Sequence, residues 1–107
     1  MFVKNPDEIA KKIIKNRQLS GDNVYNLLRF AKNKEEIANL LGAENINKLS
    51  GYLVFELLRS AKDVEETAKL IGSENIRKLS DKNIYDLIHI AKNKDEMTQV
   101  INKYKAN

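Results

Sequence analysis

Apolar residues recur along the chain with the spacing of one helix face. Val24, Leu27, Leu28 and Ala31 follow i, i+3, i+4, i+7, the mark of an amphipathic helix. The set returns as Val54, Leu57, Leu58, Ala61 and again as Ile84, Leu87, Ile88, Ala91, each time 30 residues on. The whole segment repeats with it. Full copies span 19–48, 49–78 and 79–107, each opening Leu-Ser, and the first two agree at 18 of 30 positions. A half-copy occupies 2–18, where Val3–Ala10 aligns with Ala31–Ala38.

Each copy reads as two helices. Ser20, Ser50 and Ser80 are N-cap candidates for the first, since a Ser oxygen accepts from the orphan N–H groups of the opening turn. That helix ends near Lys32, Lys62 or Lys92, where a cation suits the dipole. The second helix opens on Asn33…Glu36, Asp63…Glu66 or Asn93…Glu96, a variant of the capping box. Asn5-Pro6-Asp7-Glu8 repeats the device, with Pro at the favoured first helical position. Gly42, Gly72 and Asn102 then predict a left-handed C-terminal stop. Whether Ala43–Lys48 and Ser73–Lys78 form a third short helix is left open by the pattern.

Helices of roughly 8–12 residues are not stable alone in water. Stacked units bury a continuous core instead. The expectation is an all-α fold, a short α-solenoid-like array of three and a half bihelical units forming one domain over 1–107. Leu27, Leu28, Leu57, Leu58, Leu87 and Ile88 are its expected core. Tyr25, Phe55 and Tyr85 form a ladder expected to pack between units, with Phe30, Ser60 and Ile90 as partners on the other flank.

The spacing of short paired helices resembles the TAL-effector repeat in layout. That family places a glycine-containing, base-reading loop between its two helices. Here the junctions are Lys32-Asn33-Lys34, Lys62-Asp63-Val64 and Lys92-Asn93-Lys94, without glycine, so the resemblance implies layout and transfers no function.

Composition narrows the chemistry. Of 107 residues none is Cys or Trp and one is His. Disulfides, thiol nucleophiles and Cys-based zinc sites are therefore excluded. No apolar stretch approaches the roughly 20 residues of a membrane span, and no secretory h-region opens the chain. A cytoplasmic protein away from membranes is expected. His89 stands where Arg29 and Arg59 stand in the other copies, so an exposed polar face accounts for it as well as a general base does. The pairs Glu35-Glu36, Glu65-Glu66 and Asp95-Glu96 fall in opening helical turns, where the dipole accounts for them. The expected protein is non-enzymatic, with no cofactor and no metal.

Binding remains. Opposite the apolar stripe lie Asp22, Asn26 and Arg29, then Tyr52, Glu56 and Arg59, then Lys82, Asp86 and His89. They vary in charge and size on a constant frame, as recognition surfaces of repeat proteins do, and Tyr52 is a plausible anchor. Protein recognition is the leading expectation, by a monomer or a dimer. The alternative is nucleic acid. Lys and Arg number 19 against 15 Asp and Glu, and the excess gathers in the first element at Lys11, Lys12, Lys15 and Arg17. A self-assembling structural protein is the third reading, with the polar ends opposing open growth.

Overall fold

The structure is a computed structural model that describes residues 5–16 and 18–106. Among these the chain forms eight helices and no strand. They are α1 Pro6–Asn16, α2 Gly21–Phe30, α3 Lys34–Ile46, α4 Gly51–Ser60, α5 Val64–Ile71, α6 Ser73–Ile76, α7 Asp81–Ile90 and α8 Lys94–Ala106. None is long and apolar enough to cross a membrane.

The helices begin where local chemistry directs. The hydroxyls of Ser20, Ser50 and Ser80 accept from the N–H groups of Asn23, Leu53 and Asn83. Asn23 and Asn83 return the bond by accepting from the Ser20 and Ser80 N–H groups. Leu53 has no acceptor and cannot. Asn33, Asp63 and Asn93 accept from the N–H groups of Glu36, Glu66 and Glu96 at 3.0–3.1 Å. The first residue of each of these helices has its N–H free of the ladder, which is why a side-chain acceptor matters there.

The ends divide between two devices. Gly42 and Gly72 take φ of 77° and 85°, and the chain then re-enters a helical turn. That turn is the last part of α3 after Gly42 and is α6 after Gly72, so the open question over a third helix resolves in its favour. The Asn45 and Asn75 side chains donate back to the carbonyls of Leu41 and Ile71 at 2.8 and 2.7 Å, satisfying acceptors that the break orphans. Asn102 does not follow. It lies within α8, and no described non-glycine residue has positive φ. An Asn pays a Cβ penalty in the left-handed region that Gly does not, and Lys103-Tyr104-Lys105 can simply continue the helix.

The first helices lie side by side, with α4 against both α2 and α7; in a second layer α3 packs on α1 and α5, and α5 on α8. The body measures 43 × 25 × 19 Å. Val24, Ile37, Leu49, Val54, Leu58, Ile76, Leu87 and Ile101 are essentially shut off from solvent between the layers. Two of the six expected core residues depart from this. Leu27 and Ile88 are half-buried, whereas their equivalents Leu57, Leu87 and Leu28, Leu58 are buried. The reason is position. Only α4 has a first helix on both sides, so α2 lacks cover on the side of Leu27 and α7 on the side of Ile88.

Three backbone-directed contacts matter most: the first two close each full copy on its own opening turn, and the third ties α1 to the first full copy. The Lys48 ammonium donates to the Leu19 carbonyl at 2.8 Å, and the Lys78 ammonium to the Leu49 carbonyl at 2.6 Å. Lys105 reaches Leu79 in the same way at 3.3 Å, from a different place in the 30-residue frame because α8 runs on unbroken. Second, the backbone at the end of each of the first two full copies closes on the first residue of that copy's own first helix, α2 or α4. A Cβ at Gly21 would lie 2.5 Å from the Lys48 carbonyl oxygen, and one at Gly51 would lie 2.6 Å from that of Lys78. Third, Asp7 of α1 is buried, and its two carboxylate oxygens accept from the N–H groups of Lys32 and Asn33, both at 2.9 Å.

These contacts yield two expectations. Gly51→Ala should destabilise by about 1–3 kcal/mol, because the neighbour in the way is backbone and cannot rotate aside. Asp81→Ala, at the corresponding place in the last copy, should cost well under that, and paired urea melts would show the difference. Asp7 is held below the usual carboxylate range, chiefly by the Asn33 N–H, with burial opposing and the Lys32 N–H assisting. A carboxylate whose folded pKa is depressed stabilises above its unfolded value and loses that contribution as pH falls through the folded one. Asp7→Asn should therefore cost about 1–3 kcal/mol at neutral pH. The gap from the parent should close in melts taken progressively below about pH 4, where the parent also protonates.

Candidate functional site

The nine outer residues of the first helices occupy one face. On each helix they are spaced i, i+4, i+7, so the 3.6-residue period stacks them in a stripe. Asp22, Asn26, Arg29, Tyr52, Arg59, Lys82 and His89 are exposed; Glu56 and Asp86 are half-buried. Because α4 lies between α2 and α7, Tyr52, Glu56 and Arg59 take the middle of the surface.

The basic member of each stripe is engaged locally. Arg59 meets Glu56 through two bonds, Nε to Oε1 at 3.0 Å and an amino nitrogen to Oε2 at 2.8 Å. The hydrogen bond to Glu56 raises the Arg59 pKa further, so the guanidinium is charged throughout the accessible pH range. Arg29 donates to the Tyr25 hydroxyl at 2.9 Å and lies over the rings of Tyr25 and Phe30 at 5.7 and 5.3 Å. His89 stacks on Tyr85, centroids 5.8 Å apart and planes within 9°. Lys82 pairs with Asp86 at 3.5 Å. Tyr52 is 64% exposed and its ring leans on Phe55 at 6.3 Å. The result is a fixed set of planar groups, a tyrosine beside a carboxylate-braced guanidinium, whose rotamers are partly ordered in advance of any contact.

The expected ladder holds in part. Tyr25 and Phe55 pack half-buried against the core. Tyr85 does not, at 67% exposure, and Phe30 and Ile90 are 61% and 51% exposed rather than partners of the ladder. Residues 30 and 90 are the last of α2 and α7, where no neighbouring element among the described residues covers them. Phe30, Tyr85 and Ile90 thus join the exposed surface, which composition and stripe analysis did not anticipate. Leu40, 48% exposed on α3, is similar.

The alternative basic site is more dispersed. Lys11 pairs with Glu36 at 2.8 Å, and that contact lifts its pKa above the usual lysine value. Lys12 and Lys15 are exposed on α1; Arg17 lies outside the described residues. Many lysines elsewhere serve the fold. Lys34 donates to the carbonyls of Leu28 and Arg29 at 2.8 and 2.9 Å, and Lys94 to those of Ile88 and His89 at 3.3 and 2.6 Å. Each thereby closes the end of the preceding helix. Burial pushes the Lys34 pKa down, against the pull of Glu66 and Asp7. Lys103 binds Glu65 at 2.7 Å.

The second layer carries a groove of about 810 Å³ between α3 and α5, with Glu35, Glu65, Glu66 and Glu74 on its walls and Lys69 among them. Glu66 belongs to the cap of α5, and Glu65 accepts from Lys103 and Tyr104. No group of carboxylate or imidazole side chains suited to a metal occurs among the described residues.

Compared with protein-family models, curated proteins and solved structures, the chain matches none. Function is therefore read from geometry alone.

If the outer stripe is surface chemistry rather than scaffold, Tyr52→Ala and Arg59→Ala should leave the melting temperature close to the parent's. Exposed ion pairs and exposed rings contribute little to stability. Differential scanning calorimetry of the two variants checks this.

Proposed function

We propose that the chain is a short α-solenoid-like array whose outer face, across α2, α4 and α7, recognises a partner protein. One observation carries the reading. Tyr52 stands 64% exposed at the centre of a row of three helices, beside the Arg59–Glu56 pair. Tyr and Arg dominate binding energy at the centres of interfaces, where surrounding contacts exclude water. Residues around this centre differ from helix to helix in charge and size while the buried frame is retained, which supports a surface adapted to one irregular partner. The proposed protein is non-enzymatic and cytoplasmic.

Nucleic acid is the second reading, favoured by the exposed Lys12 and Lys15 beside Lys11 on α1. Against it, the lysines that recur from copy to copy, at 34 and 94 and at 48 and 78, point their ammonium groups at backbone carbonyls of this chain. A phosphate-tracking surface needs them turned outward.

Two multiple variants separate the readings: Tyr52→Ala with Arg59→Ala, and Lys11→Ala with Lys12→Ala and Lys15→Ala. Affinity capture from extract of the source cells, with and without nuclease, should retain one protein on the parent and on the lysine variant. The Tyr52/Arg59 variant should lose it, and nuclease should make no difference. Loss confined to the lysine variant, with recovered nucleic acid and binding that falls steeply with salt as condensed counterions are released, would reverse the assignment.

A further inference from the structure

Successive first helices face one another along a row of residues four apart. The row is Gly21, Tyr25, Arg29 on α2, then Gly51, Phe55, Arg59 on α4, then Asp81, Tyr85, His89 on α7. On α2 and α4 the glycines meet the backbone of Lys48 and Lys78, and Tyr25 and Phe55 are half-buried. A Cβ at Gly21 would also lie 3.6 Å from the Leu53 side chain of α4, so the row on α2 looks towards the following copy. On α7 it is uncovered. Tyr85 is 67% exposed, and Ile84 and Ile88 are half-buried where Val24, Val54, Leu28 and Leu58 are buried.

Residue 81 decides what can cover that face. At the two equivalent glycines a Cβ would come within 2.6 Å of the carbonyl oxygen of Lys48 or Lys78, the residue that leads out of the same copy into the next. Asp81 adds a Cβ and a carboxylate at that place, so a further unit could not be reached from α7 by the close connection that leads from α2 to α4. The row is complementary to itself instead. Asp81 and His89 stand four residues to either side of Tyr85, and the rows of α2 and α4 carry no such opposition of acid and base. A two-fold axis at Tyr85 lays a second α7 antiparallel on the first. Each Asp81 then faces the second copy's His89, the tyrosine rings meet at the axis, and Ile84 and Ile88 of both copies close around them. Rows of i±4 residues are the ridges by which helix pairs most often interlock, and a two-fold contact uses one patch twice.

We infer that the Asp81–Tyr85–His89 row of α7, with Ile84 and Ile88, is the docking surface for a second copy of this chain about a two-fold axis at Tyr85. The interface stands apart from the Tyr52-centred surface and does not depend on it; His89 is the residue the two share. Two ten-residue helices make a small contact, below the roughly 1,200–2,000 Å² of standard stable complexes, so the dimer is concentration-dependent.

Sedimentation equilibrium of the full chain from about 10 to about 500 µM, a range suited to so small an interface, tests this. The parent should shift from monomer to dimer across it. Tyr85→Lys and Asp81→Arg should each weaken dimerisation about tenfold or more, through loss of an aromatic anchor or of a close charge pair. Asp81→Arg with His89→Glu should restore it, since the opposition is only reversed. All the substituted side chains are exposed, and circular dichroism verifies unchanged helicity. The chain has no cysteine, which supplies a second readout: under mild oxidation at high concentration, Tyr85→Cys should yield a disulfide-linked dimer and Asn26→Cys should not. A parent that remains monomeric throughout overturns the inference. So does a dimer indifferent to Tyr85→Lys, or a double variant no tighter than Asp81→Arg alone.

Discussion

The fold depends on one close approach, the end of each of the first two full copies resting on the opening turn of its own first helix. At Gly21 and Gly51 the gap between the two backbone segments leaves no room for a side chain. The same contact brings Lys48 and Lys78 within reach of the Leu19 and Leu49 carbonyls. Those carbonyls belong to the residues just before the Ser caps, where no helical N–H is available to them. An ammonium carries three donors on a flexible stem, so it can reach a carbonyl that rigid backbone cannot. Lys105 makes the same bond to Leu79 from another sequence position, which indicates that the acceptor's need, rather than the repeat frame, sets where a lysine is placed.

Much of the chain's positive charge is explained on this basis. Lys34 and Lys94 close helix ends, Lys48, Lys78 and Lys105 tie the end of each copy to its own start, and Lys11 and Lys103 pair with carboxylates. A basic composition is then the signature of a scaffold short of hydrogen-bond donors at its turns, as much as of a polyanion-binding surface. Asp7 supplies the converse case. Its carboxylate accepts two backbone N–H groups at the turn between α2 and α3 and so ties α1 to the first full copy. A lone half-unit has little apolar area to bury, and a charge-assisted pair of bonds is comparatively strong.

The outer surface has a different logic. On α4 the exposed Tyr52 and the braced Arg59 are held by neighbours on the same helix, so their positions follow from local geometry on a rigid support. On α7 the exposed Tyr85 stacks on His89 of the same helix, and its openness arises because, among the described residues, no first helix packs on that side. The two faces differ in chemistry: an irregular central surface around Tyr52, proposed to meet a different molecule, and the Asp81–Tyr85–His89 row, proposed to meet its own copy.

Periodicity and cap residues determined the helical class and the Ser20, Ser50, Ser80, Asn33, Asp63 and Asn93 caps, because those depend on contacts within four residues. The left-handed breaks at Gly42 and Gly72 were legible for the same reason. The outer stripe could be listed from the sequence, since the face opposite a buried one must meet solvent. Three features could not. The half-burial of Leu27 and Ile88, the exposure of Phe30 and Tyr85 and the burial of Asp7 all depend on which element lies alongside. The period places Tyr85 in the same class as Tyr25; only the packing shows that one has a neighbour and the other does not. Local propensity is written into each segment, whereas cover is a property of pairs of segments far apart in the chain. The difference between Gly51 and Asp81 was visible from the start, but its meaning required the carbonyl that approaches one of them.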